Sequence, residues 1–139
     1  IRLIPAGGAS LGILDETIRL VPFYNDRGAF GVGLGDYTCH VGVILLSATI
    51  LLIVRVCREL GAVDPWAPRI LGLIAGAAAG NLFSLFVSPI GVPDFLALDV
   101  GGGREIVMNL ADIAAYVGMM LLGRTAWVIV RRMRARVLR

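Results

Sequence analysis

Long apolar stretches separated by short charged ones set the pattern of this chain. Between Asp36 and Arg55 lie eighteen residues with no carboxylate, lysine or arginine, and between Arg69 and Asp94 lie twenty-four. From Ile106 to Val130 only Asp112 and Arg124 interrupt. About 20 mostly apolar residues suffice to cross a bilayer as a helix. The pattern therefore predicts three spans, near 38–55, 68–88 and 107–129. Residues 1–36 read differently, because Pro5, Gly7, Gly8, Gly12 and Pro22 break them up. Ile18-Arg19-Leu20-Val21 alternates weakly, as a short strand does, and Asn25-Asp26-Arg27-Gly28 reads as a turn.

Composition sharpens the class. The chain of 139 residues is 58% hydrophobic and 17% charged, with a mean hydropathy of +0.84. A soluble domain is nearer half apolar, and one this small could not cover three such helices on all sides. The expected fold is an all-α integral membrane helical bundle, one membrane domain over residues 1–139.

Charge orients it. All thirteen basic residues are arginine. Arg55, Arg58 and Arg69 flank the first inter-span loop, and Arg131, Arg132, Arg134, Arg136 and Arg139 lie in a basic tail, 130–139. Arginine-rich flanks stay in the cytoplasm, which places 1–36 and 89–106 outside. The acids Asp15, Glu16, Asp26, Asp36, Asp94, Asp99 and Glu105 fall on that outer side. The tail reads as a topology signal, not as a nucleic-acid site.

Several familiar chemistries have little to draw on. Cys39 and Cys57 sit at opposite ends of the first span, about 27 Å apart at 1.5 Å per residue, too far to pair. His40 is the only histidine, and Cys39-His40 alone makes a poor metal site. The glycine-rich Ala29–Gly35 stretch lacks the Gly-Lys-Ser/Thr ending of a phosphate loop. It fits close backbone packing or a peptide-binding edge. No cofactor is expected.

Elsewhere, polar residues have ordinary readings. Ser47 and Thr49 can bond back to their own helix carbonyls. Asp64-Pro65 initiates a turn, Trp66 suits the interfacial belt, and Arg124 can snorkel to the cytoplasmic surface. Gly72, Gly76 and Gly80 recur every four residues, a spacing that lets membrane helices approach closely. Asn81 then lies where a neighbouring helix comes near.

Two acids remain. Asp94 falls on a turn just after Pro89 and Pro93, near the outer face, and, taken alone, reads as a solvated loop acid. Asp112 opens the third span, where the helix dipole favours an acid. Asn109 lies three residues before it, on the same face. Ionisable groups at membrane-helix ends are functional suspects. Facing one another across the second and third spans, two close carboxylates cannot both ionise. One would activate water while the protonated one polarises a carbonyl, the division of labour of an aspartic protease.

The order of these motifs resembles the lipoprotein signal peptidase (signal peptidase II) family, bacterial membrane aspartic peptidases. Its Asn-x-Gly-Ala-Ala-Phe segment is met by Asn25-Asp26-Arg27-Gly28-Ala29-Phe30, and its Gly-Asn-Leu-x-Asp-Arg by Gly80-Asn81-Leu82-Phe83-Ser84-Leu85. Its Val-x-Asp-Phe is met by Val92-Pro93-Asp94-Phe95, and its Asn-x-Ala-Asp by Asn109-Leu110-Ala111-Asp112. The resemblance implies four membrane helices, the first preceding Ile1, and a small extracytoplasmic β-cradle. It implies Asp94 and Asp112 as the catalytic dyad, with Asn25, Asn81 and Asn109 supporting substrate or dyad. The implied substrate is a lipidated prolipoprotein, cut before its diacylglyceryl-cysteine in a bacterial plasma membrane, with no metal or organic cofactor and membrane lipids as neighbours. The chain departs from the pattern at Ser84-Leu85, where the family's Asp-Arg supports the site and holds the substrate backbone. A second reading is therefore a non-catalytic relative, a membrane-complex subunit or lipoprotein-binding protein that keeps the fold. A proton or cation path through the two aspartates is a third.

Overall fold

A computed structural model of the chain describes residues 2–5, 10–14, 17–26, 37–88 and 90–137. The glycine-rich stretch and Arg27 lie outside the described residues. Three helices dominate: α1 (Thr38–Val63), α2 (Ala67–Val87) and α3 (Leu110–Val137). All three are long and apolar enough to cross a membrane. Their outward faces carry Leu45, Leu51, Leu52, Phe83, Phe86 and Met120, all exposed, as a surface bathed by lipid requires.

Local chemistry sets the helix ends. α1 runs past Arg55 to Val63 and stops where Asp64, preceding Pro65, turns extended (φ −131°, ψ 114°). Pro68 stands in the first turn of α2, where its missing N–H costs nothing. α2 ends at Val87 because Ser88, preceding Pro89, is extended again.

α2 lies between its neighbours and packs on both. Ala67, Ile70, Leu71, Ala77 and Ala78 are its buried residues. The glycine spacing is only partly used. Gly72 and Gly76 face open space, whereas a Cβ on Gly80 would lie 3.5 Å from the Ala111 Cβ. The tightest approach between helices is at Gly118 of α3, where a Cβ would come within 2.5 Å of Ile74 Cγ1. Gly42 of α1 receives Leu85 Cδ1 in the same manner, at 3.2 Å from its would-be Cβ.

Five strands form one antiparallel sheet in the order β1-β5-β4-β3-β2. They are β1 (Arg2–Pro5), β2 (Leu11–Leu14), β3 (Ile18–Asn25), β4 (Val92–Gly101) and β5 (Arg104–Met108). The sheet thus takes in residues that sequence patterning assigns to a turn and to the start of the third span. Asp94 sits within β4, opposite Phe23 of β3. Met108 ends a strand, and α3 begins only at Leu110. The hairpin closes through Gly101, Gly102 and Gly103, all left-handed (φ 82°, 66° and 68°), a run that side chains with a Cβ rarely adopt. Pro93 is tolerated as the second residue of its strand. Ala97 and Val107 are buried, and Arg19 forms an ion pair with the buried Glu105.

Gly118→Ala is expected to destabilise the bundle by about 1–3 kcal/mol through overpacking against Ile74. Ile74→Ala in the same chain should recover part of that loss. Gly76→Ala, into open space, should leave the melting temperature in detergent unchanged or raised. A Gly76 penalty equal to that of Gly118 would contradict the packing described.

Candidate active site

α3 begins with a reciprocal cap. Asn109 is the residue before its first turn, and its Oδ1 accepts the Asp112 N–H at 3.0 Å. In return, Asp112 Oδ2 accepts the Asn109 N–H at 3.1 Å. This is the capping-box arrangement, built with Asn and Asp, and it satisfies two helix-end donors at once. The local reading of Asp112 as a helix-start acid and the functional reading describe the same side chain.

The cap leaves atoms free to reach further. Asn109 Nδ2 donates to Asp94 Oδ1 at 2.8 Å and to Asn81 Oδ1 at 3.0 Å. Asn81 Nδ2 in turn donates to Asp112 Oδ1 at 3.1 Å. Asn25 Nδ2 donates to Asp94 Oδ2 at 3.1 Å. Both carboxylates and all three asparagines form one network, drawn from β3, α2, β4 and the start of α3. Gly91 (φ 117°) enables part of this: a Cβ there would stand 2.4 Å from the Asn25 carbonyl oxygen, so only glycine lets the chain entering β4 pass Asn25.

Asp94 is 1% exposed, so the solvated-loop reading fails. The two acids meet at the junction of β4 with α3, and α2 contributes Asn81 rather than a carboxylate. Burial pushes the Asp94 carboxyl above the usual carboxylate range, and the Asp112 charge pushes the same way. The amides of Asn25 and Asn109 pull against both. Asp112 is half-buried. Side chains on a strand alternate, so Leu96 and Leu98 share the face of Asp94. Ile18, Leu20, Ile106 and Met108 are their cross-strand partners. An apolar, half-buried sheet face therefore adjoins the acids.

The positions that depart from the family pattern are accounted for locally. Ser84 Oγ donates back to the Gly80 carbonyl at 3.1 Å, and Leu85 fills the space over Gly42. Among the described residues no cluster of three or more His, Cys, Asp or Glu gathers in a way that could hold a metal. One polar centre was not anticipated from sequence. Arg124 does not simply snorkel: its Nη1 donates to Asp64 Oδ2 at 2.6 Å, and Thr125 Oγ1 donates to the same oxygen at 2.8 Å. These partners are about sixty residues apart, and no local spacing announces them.

Fold and site together define a membrane-spanning helical protein with a small antiparallel sheet and a linked pair of carboxylates where the two meet. The family model described as Signal peptidase (SPase) II matches residues 3–128, and the chain belongs to that family. The lipoprotein signal peptidase of Streptomyces griseus is 30% identical over 113 residues, 81% of this chain and 56% of that protein. That of Mycobacterium tuberculosis is 30% identical over 127 residues, 88% of this chain and 58% of that protein. That of Geobacillus kaustophilus is 31% identical over 117 residues, 83% of this chain and 73% of that protein. The chain thus spans a little over half the length of the first two. A solved bacterial membrane enzyme shares the fold with a TM-score of 0.72 at 18% identity, over 83% of this chain and 68% of that one.

The raised pKa of Asp94 has a stability consequence. Its carboxyl holds a proton in the folded state at pH values where the unfolded chain, near 3.9, has released it. Folding stability from this group is therefore full below about pH 3.9 and is lost as pH rises through the folded pKa. The melting temperature of the parent relative to Asp94→Asn should fall across that window. A difference independent of pH would contradict the assignment.

Proposed function

We propose that the chain is an aspartic endopeptidase that removes the signal peptide of a lipid-modified prolipoprotein, with Asp94 and Asp112 as the catalytic pair. The observation that carries this reading is the Asn109 side-chain amide, which ties Asp94 to the Asn81–Asp112 pair within one network. Burial and the neighbouring charge favour a protonated Asp94, although the titration belongs to the pair. Ionised Asp112, the more accessible of the two, takes a proton from a water molecule as that water attacks the scissile carbonyl. Asp94 donates its proton to the carbonyl oxygen, giving a tetrahedral diol. Collapse of the diol returns a proton to the departing amine and frees both products. Asn25, Asn109 and Asn81 hold the carboxylate oxygens in place, so little reorganisation is needed at the transition state. The apolar sheet face beside Asp94 suits the apolar residues of a signal peptide. The lipid on the substrate cysteine keeps the scissile bond at the level of the helix ends. In this reading the sheet and 89–106 are extracytoplasmic and the tail is cytoplasmic, in a bacterial plasma membrane.

One observation favours the non-catalytic alternative. Where the motif this segment resembles has Asp-Arg, Ser84 is bonded to its own helix and Leu85 is packed on α1, so neither offers a charge to a substrate backbone.

Cleavage of a diacylglyceryl-modified prolipoprotein by the full-length protein in detergent or nanodiscs separates the readings. Cleavage is expected, with a loss of about 10²–10⁴-fold for Asp94→Asn and for Asp112→Asn, the range that general acid–base groups contribute. No cleavage by the folded parent, or undiminished cleavage by both variants, would overturn the peptidase reading.

A further inference from the structure

We propose that the end of the bundle remote from the aspartates carries a binding site for the phosphate of an anionic phospholipid, built on Trp66, Arg69 and Arg124. Thr125 lies thirteen residues beyond Asp112 on α3, so the two ends are about 20 Å apart at 1.5 Å per residue.

The site rests on a buried anchor. Asp64 is 2% exposed. Its Oδ1 accepts the Trp66 N–H at 3.1 Å, and its Oδ2 accepts Arg124 Nη1 and Thr125 Oγ1. Desolvation raises the Asp64 carboxyl, but the Thr125 hydroxyl, the Trp66 N–H and the Arg124 charge together outweigh it and leave it below the usual range. An ionised Asp64 thus holds both the Trp66 backbone and one edge of the Arg124 guanidinium.

What that anchor presents outward is cationic. Trp66 is 56% exposed. The Arg69 guanidinium lies 5.2 Å from its ring centroid and that of Arg124 lies 6.0 Å away, both within cation–π range. Asp64 balances one of these charges. Arg69 forms no ion pair among the described residues, and of its donors one bonds the Pro65 carbonyl. A guanidinium has five N–H donors in a planar fork suited to phosphate. One net positive charge and several free donors therefore stand on an exposed indole at the helix ends. One turn deeper, Leu73 on α2 and Leu121 on α3 are exposed, at the level an acyl chain occupies. A headgroup with a net negative charge fits this surface. A zwitterionic headgroup would bring its ammonium against two guanidinium groups.

The proposal does not draw on the peptidase reading, and its test reads binding rather than cleavage. In a Trp127→Phe background Trp66 is the sole tryptophan of the chain. Its emission is followed in detergent during titration with dioctanoyl phosphatidylglycerol, dioctanoyl phosphatidylcholine or inorganic phosphate. The phosphatidylglycerol titration is expected to saturate, with the other two showing no saturable change. Arg69→Gln, at an exposed position, should weaken phosphatidylglycerol binding about tenfold, the scale of one charge-assisted hydrogen bond. Arg132→Gln in the tail should leave it unchanged. Equal responses to the two lipids, saturation by inorganic phosphate alone, or equal weakening by Arg69→Gln and Arg132→Gln would each overturn the proposal.

Discussion

The reciprocal hydrogen bonds between Asn109 and Asp112 are the constraint on which the site depends. They start α3 one residue after the sheet ends, converting strand β5 into a membrane helix without an orphaned turn. The same two side chains have atoms left over, and these reach Asp94 and Asn81. Helix initiation and assembly of the carboxylate–asparagine network are therefore one event. The arrangement also explains why asparagine serves at this position. Serine or threonine could cap the helix, but neither has the paired N–H donors that bridge Asp94 to Asn81.

The bundle supports that junction from a distance. α3 is tied at both ends: Asp112 and Asn109 to Asn81 of α2 at one, and Arg124 and Thr125 to Asp64, in the turn between α1 and α2, at the other. Between the ties the helices meet through Gly80 against Ala111 and Ile74 against Gly118. A register shift of one residue would break both polar ties and drive a side chain into Gly118. Dispersion and a few hydrogen bonds set helix association where lipid removes the hydrophobic drive, so such ties weigh more here than in a soluble core.

Much of this was legible in the order of residues. Charge-free runs announce helices because a bilayer tolerates few ionisable groups. Ile18–Val21 announces a strand, and the Asn and Asp positions that resemble the peptidase family are the ones that converge. The second half of the sheet was not legible. Val92–Gly101 carries a proline and two aspartates, and its partner β3 lies about seventy residues earlier, so no local pattern shows the pairing. Asp94 consequently reads as a loop acid until the strand that buries it is seen. Asp64 and Arg124 were opaque for the same reason. Gly72 and Gly76 show the converse limit: spacing permits a close approach but does not say which glycine is used.

The most direct test of the dual role of Asn109 compares Asn109→Ser and Asn109→Ala in thermal stability and in cleavage of a lipidated prolipoprotein. Both variants lose the amide that donates to buried Asp94 and both should melt below the parent, but serine retains an N-cap acceptor, so alanine should be the less stable of the two by about 0.5–2 kcal/mol. Neither restores the bridging amide, so both should lose cleavage together. Parent-like cleavage by Asn109→Ser would contradict the account, because it would show that the cap alone suffices and that the amide between the two aspartates does not matter.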